Sequence, residues 1–306
     1  MKNKFYFLFL FLLCSIRIAW AGDSKLHDVY GEATVYLEGD MTPAVAKAEA
    51  LRQARAKALA DKFGLFVSST DQTYGDVSNG KSYSRFSTYA LSEVKGVWVK
   101  NTEEPTIIQG YDEKTNRMWF HAKVKGKARA LDDAKIDVKV NLLRNSSDDT
   151  HATTEFKAGD RLQVSIKTSD NGYLAIYALD NNTNKAYRVI PLMNSESHQP
   201  VSIFANKRYL FMNGDDIYTL TCESEHIDYM KFYVLFSPKL FNLPTDEKGT
   251  KLDSEELDDL PAYKQYEYNW LSNIPAGVLD KWMSSLRVHN EQMQCIPIDI
   301  SIKRNN

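Results

Sequence analysis

The sequence is short of cysteine, of clustered histidine and of positive charge, and each shortage narrows the chemistry open to it. Three cysteines in 306 residues cannot build a disulfide framework. The six histidines, His27, His121, His151, His198, His226 and His289, are scattered, with no pair at the helical or strand spacing that metal ligation requires. Lysine and arginine total 38 against 40 aspartate and glutamate, a formal net charge of −2. That balance lacks the basic footprint of a nucleic-acid binder. Beyond the N-terminus no run is long and apolar enough to cross a bilayer, which takes about 20 residues.

What the N-terminus does carry is an export pattern. Lys2 and Lys4 precede the apolar run Phe5 to Leu13, and the small residues Ala19 and Ala21 flank Trp20 just before Gly22. The run is too short for a stable membrane span and reads as a signal peptide over residues 1–21, cut after Ala21. A lipoprotein signal at Cys14 would need a small residue before the cysteine, and Leu13 is large. Cleavage leaves no transmembrane span, moves the net charge from −2 to −5 by removing Lys2, Lys4 and Arg17, and leaves Cys222 and Cys295. An exported chain permits a disulfide, so those two are a candidate pair. With 43% hydrophobic and 12% aromatic residues the mature chain can build a real core.

Residues 22–128 read as an α+β module. Val29 to Leu37 alternates as a strand. Thr42-Pro43 then starts a helix by hydroxyl capping and a proline in the first turn, and Gly64 stops it after Phe63. Its many alanines, Ala44 to Ala60, favour helix at small volume and suit close packing on a sheet, with Leu51 and Leu59 as larger anchors. Val97–Lys100, Thr106–Gln109 and Met118–Val124 follow as a meander, with a polar turn over Asp112 to Asn116. The glycine-bearing first strand and the helix A-x-A-x-A-E-A-L-R-Q-A-R-A-K-A-L-A-D-K-F-G resemble the N-terminal domain of flagellar assembly protein T and related envelope lipoproteins, over roughly residues 28 to 128. That resemblance implies an envelope assembly or binding module.

A charged linker at 129–135 leads to a β-sandwich domain at 136–306 with a C-terminal helix. Ile136–Leu142 alternates as its first strand, and Gly159-Asp160 makes a turn before Leu162–Ile166. Asp170-Asn171-Gly172 reads as a hairpin turn into Tyr173–Leu179, because Asn-Gly between two β runs is a strong hairpin signal. Further strands are expected at Ala186–Ile190, Ile217–Cys222, Lys231–Ser237 and Ile296–Ile302. Ile274, Val278, Leu279, Trp282, Met283 and Leu286 fall on one helical face, which packing on the sandwich would bury. The Phe156…Gly159-Asp160 turn, Asn171-Gly172-Tyr173-Leu174 and the strand Phe232–Phe236 before Ser237-Pro238 resemble a secreted bacterial domain family of unknown function, number 4384, over residues 150 to 240. That family implies a fold and a location, and no catalytic residues.

Several motifs invite a sharper chemistry. Gly75-Asp76-Val77-Ser78-Asn79-Gly80-Lys81-Ser82 matches the P-loop letter for letter. A P-loop must leave a buried parallel strand, however, and Ser68 to Tyr74 are almost all polar, so nucleotide binding is a remote alternative. Ser195 and His198 lack a nucleophile elbow or an oxyanion-forming glycine run. The acidic loop at 243–268 lacks the alternating oxygen ligands and central glycine of a calcium loop. Tyr263, Tyr266, Tyr268 and Trp270 form a candidate interaction surface, since tyrosine and tryptophan are enriched where proteins bind. No cofactor, metal or nucleic acid is expected. The expectation is a non-catalytic module, periplasmic or associated with the outer envelope, that binds an envelope protein or glycan. The alternative is a hydrolase-like envelope enzyme with a site assembled from scattered residues.

Overall fold

A computed structural model describes residues 25–37, 41–65, 91–131, 136–192, 199–214, 218–243, 274–290 and 292–305. The fold is α+β, with a small helix-backed sheet followed by a β-rich domain and a C-terminal helix. Strand β1 (His27–Tyr36) leads into helix α1 (Pro43–Phe63), with the boundaries that its caps predict. Thr42 Oγ1 accepts a hydrogen bond from Val45 N at 3.3 Å, and Gly64, at φ 82°, sends its N–H to the Ala60 carbonyl. Strands β2 (Gly96–Asn101), β3 (Thr106–Asp112) and β4 (Arg117–Ala130) complete the first sheet. β4 is its centre, antiparallel to β1 on one edge and to β2 and β3 in tandem on the other. It runs past the expected end at Val124 because β1 and β2 still pair with it there, Asp28 opposite Lys127 and Val97 opposite Arg129.

Helix α1 covers one face of this sheet. Ala46, Ala50 and Ala54 meet Val35, Phe120, Ala122 and Val124, while Ala58 and Leu59 meet Val29 and Ala128. Small side chains bring the helix so close that a Cβ added to Gly31 would lie 2.1 Å from the Ala54 carbonyl oxygen. The glycine of the first strand is there for clearance.

The second region contains strands β5 (Val138–Arg144), β6 (Glu155–Lys157), β7 (Arg161–Thr168), β8 (Gly172–Asp180), β9 (Lys185–Ile190), β10 (Val201–Ile203), β11 (Tyr209–Phe211), β12 (Tyr218–Thr219), β13 (Ile227–Ser237), β14 (Ile274–Pro275) and β15 (Gln294–Lys303). Among the described residues the larger sheet runs β14-β9-β8-β13-β15-β6, with β10 on β8, and the smaller runs β11-β7-β12, with β5 on β7. Leu162, Val164 and Ile166 of the small sheet pack against Leu174, Ile176, Phe232, Val234 and Phe236 of the large one. Helix α2 (Ala276–His289) lays Val278, Leu279, Trp282 and Met283 on the other face of the large sheet, against Ala175, Tyr177, Tyr233 and Leu235. β8 and β13 are therefore covered on both faces, which explains their nearly unbroken apolar runs.

Two expectations are corrected here. Asp170-Asn171-Gly172 is not a hairpin turn: β7 and β8 belong to different sheets, and the turn carries the chain from one to the other. Gly172 lies under Phe236, and Asn171 Oδ1 accepts from Ala205 N at 2.8 Å. The apolar faces of β7 and β8 cover each other across the core, which edge pairing would not allow. Nor are Cys222 and Cys295 joined, since both are free. Cys222 sits beside the sandwich core, whereas Cys295 faces α2 with its Sγ 3.7 Å from Met283 Sδ, so the large sheet separates them.

Candidate functional site

The charged segment at 129–135 predicts few contacts between the two regions, and this too is corrected. They meet through a buried ionic cluster. Asp280 of α2 is buried, and its Oδ2 receives Arg52 Nη1 of α1 at 2.5 Å and Leu91 N at 2.9 Å. Its Oδ1 receives Ser92 N at 2.8 Å and Ser92 Oγ at 2.7 Å. Arg52 is held from its own helix by Glu49, with Nε at 2.8 Å from Oε2. Two turns beyond Asp280, Arg287 donates to the carbonyls of Ser92 and Val94. Glu93 Oε1, on the same short turn as Ser92, accepts from Lys231 Nζ at 2.8 Å and from the Tyr233 hydroxyl at 3.1 Å. Ala48 of α1 joins the apolar cluster that α2 makes with the large sheet. Helix α1 is thus packed on two sides, by its own sheet and by the second region.

The electrostatics hold this cluster together. Burial opposes the charge on Lys231, yet Glu93 and Asp299 beside it outweigh burial and raise its pKa. Burial, with Glu93 adding to it, pushes the Tyr233 phenol well above its ordinary range. Burial also pushes the neighbouring Cys295 thiol up to about 12, so it stays protonated and is a poor nucleophile. Elsewhere the carboxyls of Glu32, Asp112, Asp148, Asp149 and Asp228 are lowered. Hydrogen bonds from Arg208 hold Asp149 at about 2. At Asp228 burial works the other way, but hydrogen bonds from Ser224, Glu223 and Asn182 prevail.

The face of the first sheet turned away from α1 is the surface best equipped for recognition. Residues opposite one another in register share a face, so Tyr30, Glu32, Thr34 and Tyr36 of β1 align with Lys125, Lys123, His121 and Trp119 of β4. β3 adds Ile108 opposite His121 and Gly110 opposite Trp119. The Trp119 indole lies over Gly110, where an added Cβ would meet it at 2.2 Å. The Arg117 guanidinium sits 5.5 Å over the Tyr36 ring, Thr34 Oγ1 bonds His121 Nδ1 at 2.8 Å, and Lys127 pairs with Asp28 at 2.7 Å. Tyr30 and Tyr36 remain 49% and 39% exposed. The face offers π surfaces, hydroxyls and paired charges within one flat array.

Sequence reasoning missed both features. The array is visible as the alternation Arg117, Trp119, His121, Lys123, Lys125, Lys127, one polar face of a strand. The cluster had a fainter signal: alanines on every side of α1 imply a helix buried on more than one face. Of the residues singled out earlier, Tyr263, Tyr266, Tyr268, Trp270, Ser195, His198 and the Gly75–Ser82 segment lie outside the described residues, as do most of the linker and the acidic loop. His27 packs edge-on against Phe63, with the rings 5.7 Å apart. Among the described residues no group of three or more His, Cys, Asp or Glu is placed to hold a metal ion, and no helix is long and apolar enough to cross a membrane. Comparison of the chain with protein-family models, with curated proteins and with solved structures gave no significant match.

Proposed function

We propose that this chain is a non-catalytic, exported envelope protein that serves as a binding or assembly module and recognises an envelope protein or glycan through the open face of its first sheet. The observation carrying this reading is the aromatic and charged array of Tyr30, Tyr36, Trp119 and Lys123, held on a sheet whose other face is buried under α1. Tyrosine and tryptophan provide large contact area with a polar tip, the composition found at interfaces. The α1–α2 cluster supports the same reading, because a surface presented to a partner gains affinity from a rigid backing. The basic, apolar and small-residue pattern at the N-terminus supports export, and the resemblance of the first half to envelope proteins and of the second to a secreted bacterial family points the same way.

The test is capture from intact envelopes with the mature chain as bait, beside a Tyr30→Ala/Tyr36→Ala variant whose unfolding midpoint matches. These side chains are exposed, so the fold should survive. Material that the parent retains and the variant loses supports the reading. Equal recovery by both, or turnover of ester, peptide or glycoside substrates by the purified chain, overturns it.

A further inference from the structure

We infer that β3 is an interface between two copies of this chain, which join edge to edge into one continuous sheet. The first observation is the state of the edge. β3 pairs with β4 on one side, and among the described residues no strand pairs with its other side. The Met118 carbonyl accepts from Leu37 N toward β1, and the Lys125 carbonyl accepts from Thr102 N toward the opposite edge. Backbone groups alternate edges along a strand, so the odd residues of β4 bond β3 and take Thr106, Ile108, Gly110 and Asp112 as partners. Ile107, Gln109 and Tyr111 then turn their N–H and C=O groups outward. Natural sheets blunt such edges with lysine, proline or a bulge. This one instead leaves Ile107 37%, Ile108 48% and Tyr111 56% exposed.

The second observation is that the strand is complementary to itself. An antiparallel pair centred on Gln109 places Ile107 opposite Tyr111 of the second copy, Gln109 opposite its own counterpart, and Tyr111 opposite Ile107. All three pairs fall where backbone groups point outward, so each can exchange two hydrogen bonds. Ile–Tyr is a β-branched–aromatic pair, of the kind that stabilises neighbouring strands. All three side chains share the face that carries α1, as their register with Ala122, Phe120 and Met118 shows, so the apolar pairs would cover one another beside the helix. The charges beyond the strand agree with this register: it brings Glu104 of each copy toward Lys114 of the other. The free edge of β1 is less suited, since its outward positions include the charged Asp28 and Glu32. The result is an isologous two-fold contact, the commonest way for one chain to pair with itself.

Sedimentation of the purified chain across a concentration series tests this. The parent should show a reversible dimer. Gln109→Pro should weaken it at least about tenfold by deleting one outward N–H from each copy. That N–H bonds nothing among the described residues of a single copy, so the monomer should keep its circular dichroism spectrum and unfolding midpoint. Tyr111→Lys, which adds an edge charge, should act likewise. Glu104→Lys alone should weaken the dimer, and adding Lys114→Glu should restore it. Under oxidation Gln109→Cys should give a cross-linked dimer, and Ile108→Cys far less, with the parent controlling for its own two thiols. A chain monomeric at the highest attainable concentration overturns the inference. So do a dimer indifferent to Gln109→Pro and Tyr111→Lys, preferential cross-linking at 108, or a monomer whose β3 edge takes up a strand from a different protein.

Discussion

Asp280 accepts hydrogen bonds from an arginine 228 positions away in the chain and from a backbone turn 188 and 189 positions away. Asp280→Asn keeps the shape but loses the charge that answers Arg52, and it turns an NH2 group toward donors. Breaking one partner of a buried pair costs about 3–5 kcal/mol, and urea unfolding followed by tryptophan fluorescence should read a loss of that order. Glu93 offers a second test, in pH. The folded state raises the pKa of Lys231 above its ordinary 10.5, so this group's stabilisation is full below that value and is lost as pH climbs through the raised one. Glu93→Gln removes the principal charge that raises it. Its melting temperature should therefore begin to fall at a lower alkaline pH than that of the parent, and coincident alkaline limbs would refute the assignment. The ion pair of Arg208 with Asp149 is different, because both partners are more than a third exposed and solvent screening leaves it little to contribute.

Helix α1 is the element most fully written in local sequence. Thr42, Pro43 and Gly64 fix its ends by capping, and its alanines state how near it must lie to the sheet. Gly31→Ala should cost about 1–3 kcal/mol in denaturant unfolding, because the methyl group would have to displace the helix backbone. Strands were legible wherever a period of two or a solid apolar run extended over several residues, as in β8, β13 and β15. Their partners were not. Asn171-Gly172 carries the composition of a hairpin turn, and only the distant strands β5 and β13 reveal that β7 and β8 are claimed by separate sheets. The ionic cluster was hidden for the same reason. Arg52, Glu93, Lys231, Asp280 and Arg287 each read as ordinary surface charges until the fold brings them together, and nothing in their spacing along the chain announces it. The cysteines misled by their positions at strand ends, which say nothing about the sheet between them.

At the scale of the whole molecule, the α1–α2 contact makes the two regions interdependent. A fragment beginning near residue 136 would leave Asp280, Arg287 and Lys231 without Arg52, Ser92 and Glu93, and would uncover apolar surface of α2. The intact chain should therefore unfold in one calorimetric transition whose calorimetric and van't Hoff enthalpies agree. Two separated transitions would restore the picture of independent domains. One further property follows from a small detail near the end of α1. Leu65 bridges to Val94, and the Gly64 carbonyl accepts from Lys95 N at 2.9 Å. Residues 64–65 and 94–95 are thus clamped side by side, next to the turn at Leu91–Glu93 that is anchored on Asp280. Length between two clamped points is nearly neutral to stability, since each doubling of a loop costs only about 0.6 kcal/mol in closure entropy. What the clamp fixes is therefore not how much chain lies between Leu65 and Val94 but where α1 hands over to β2, a splice point in the fold.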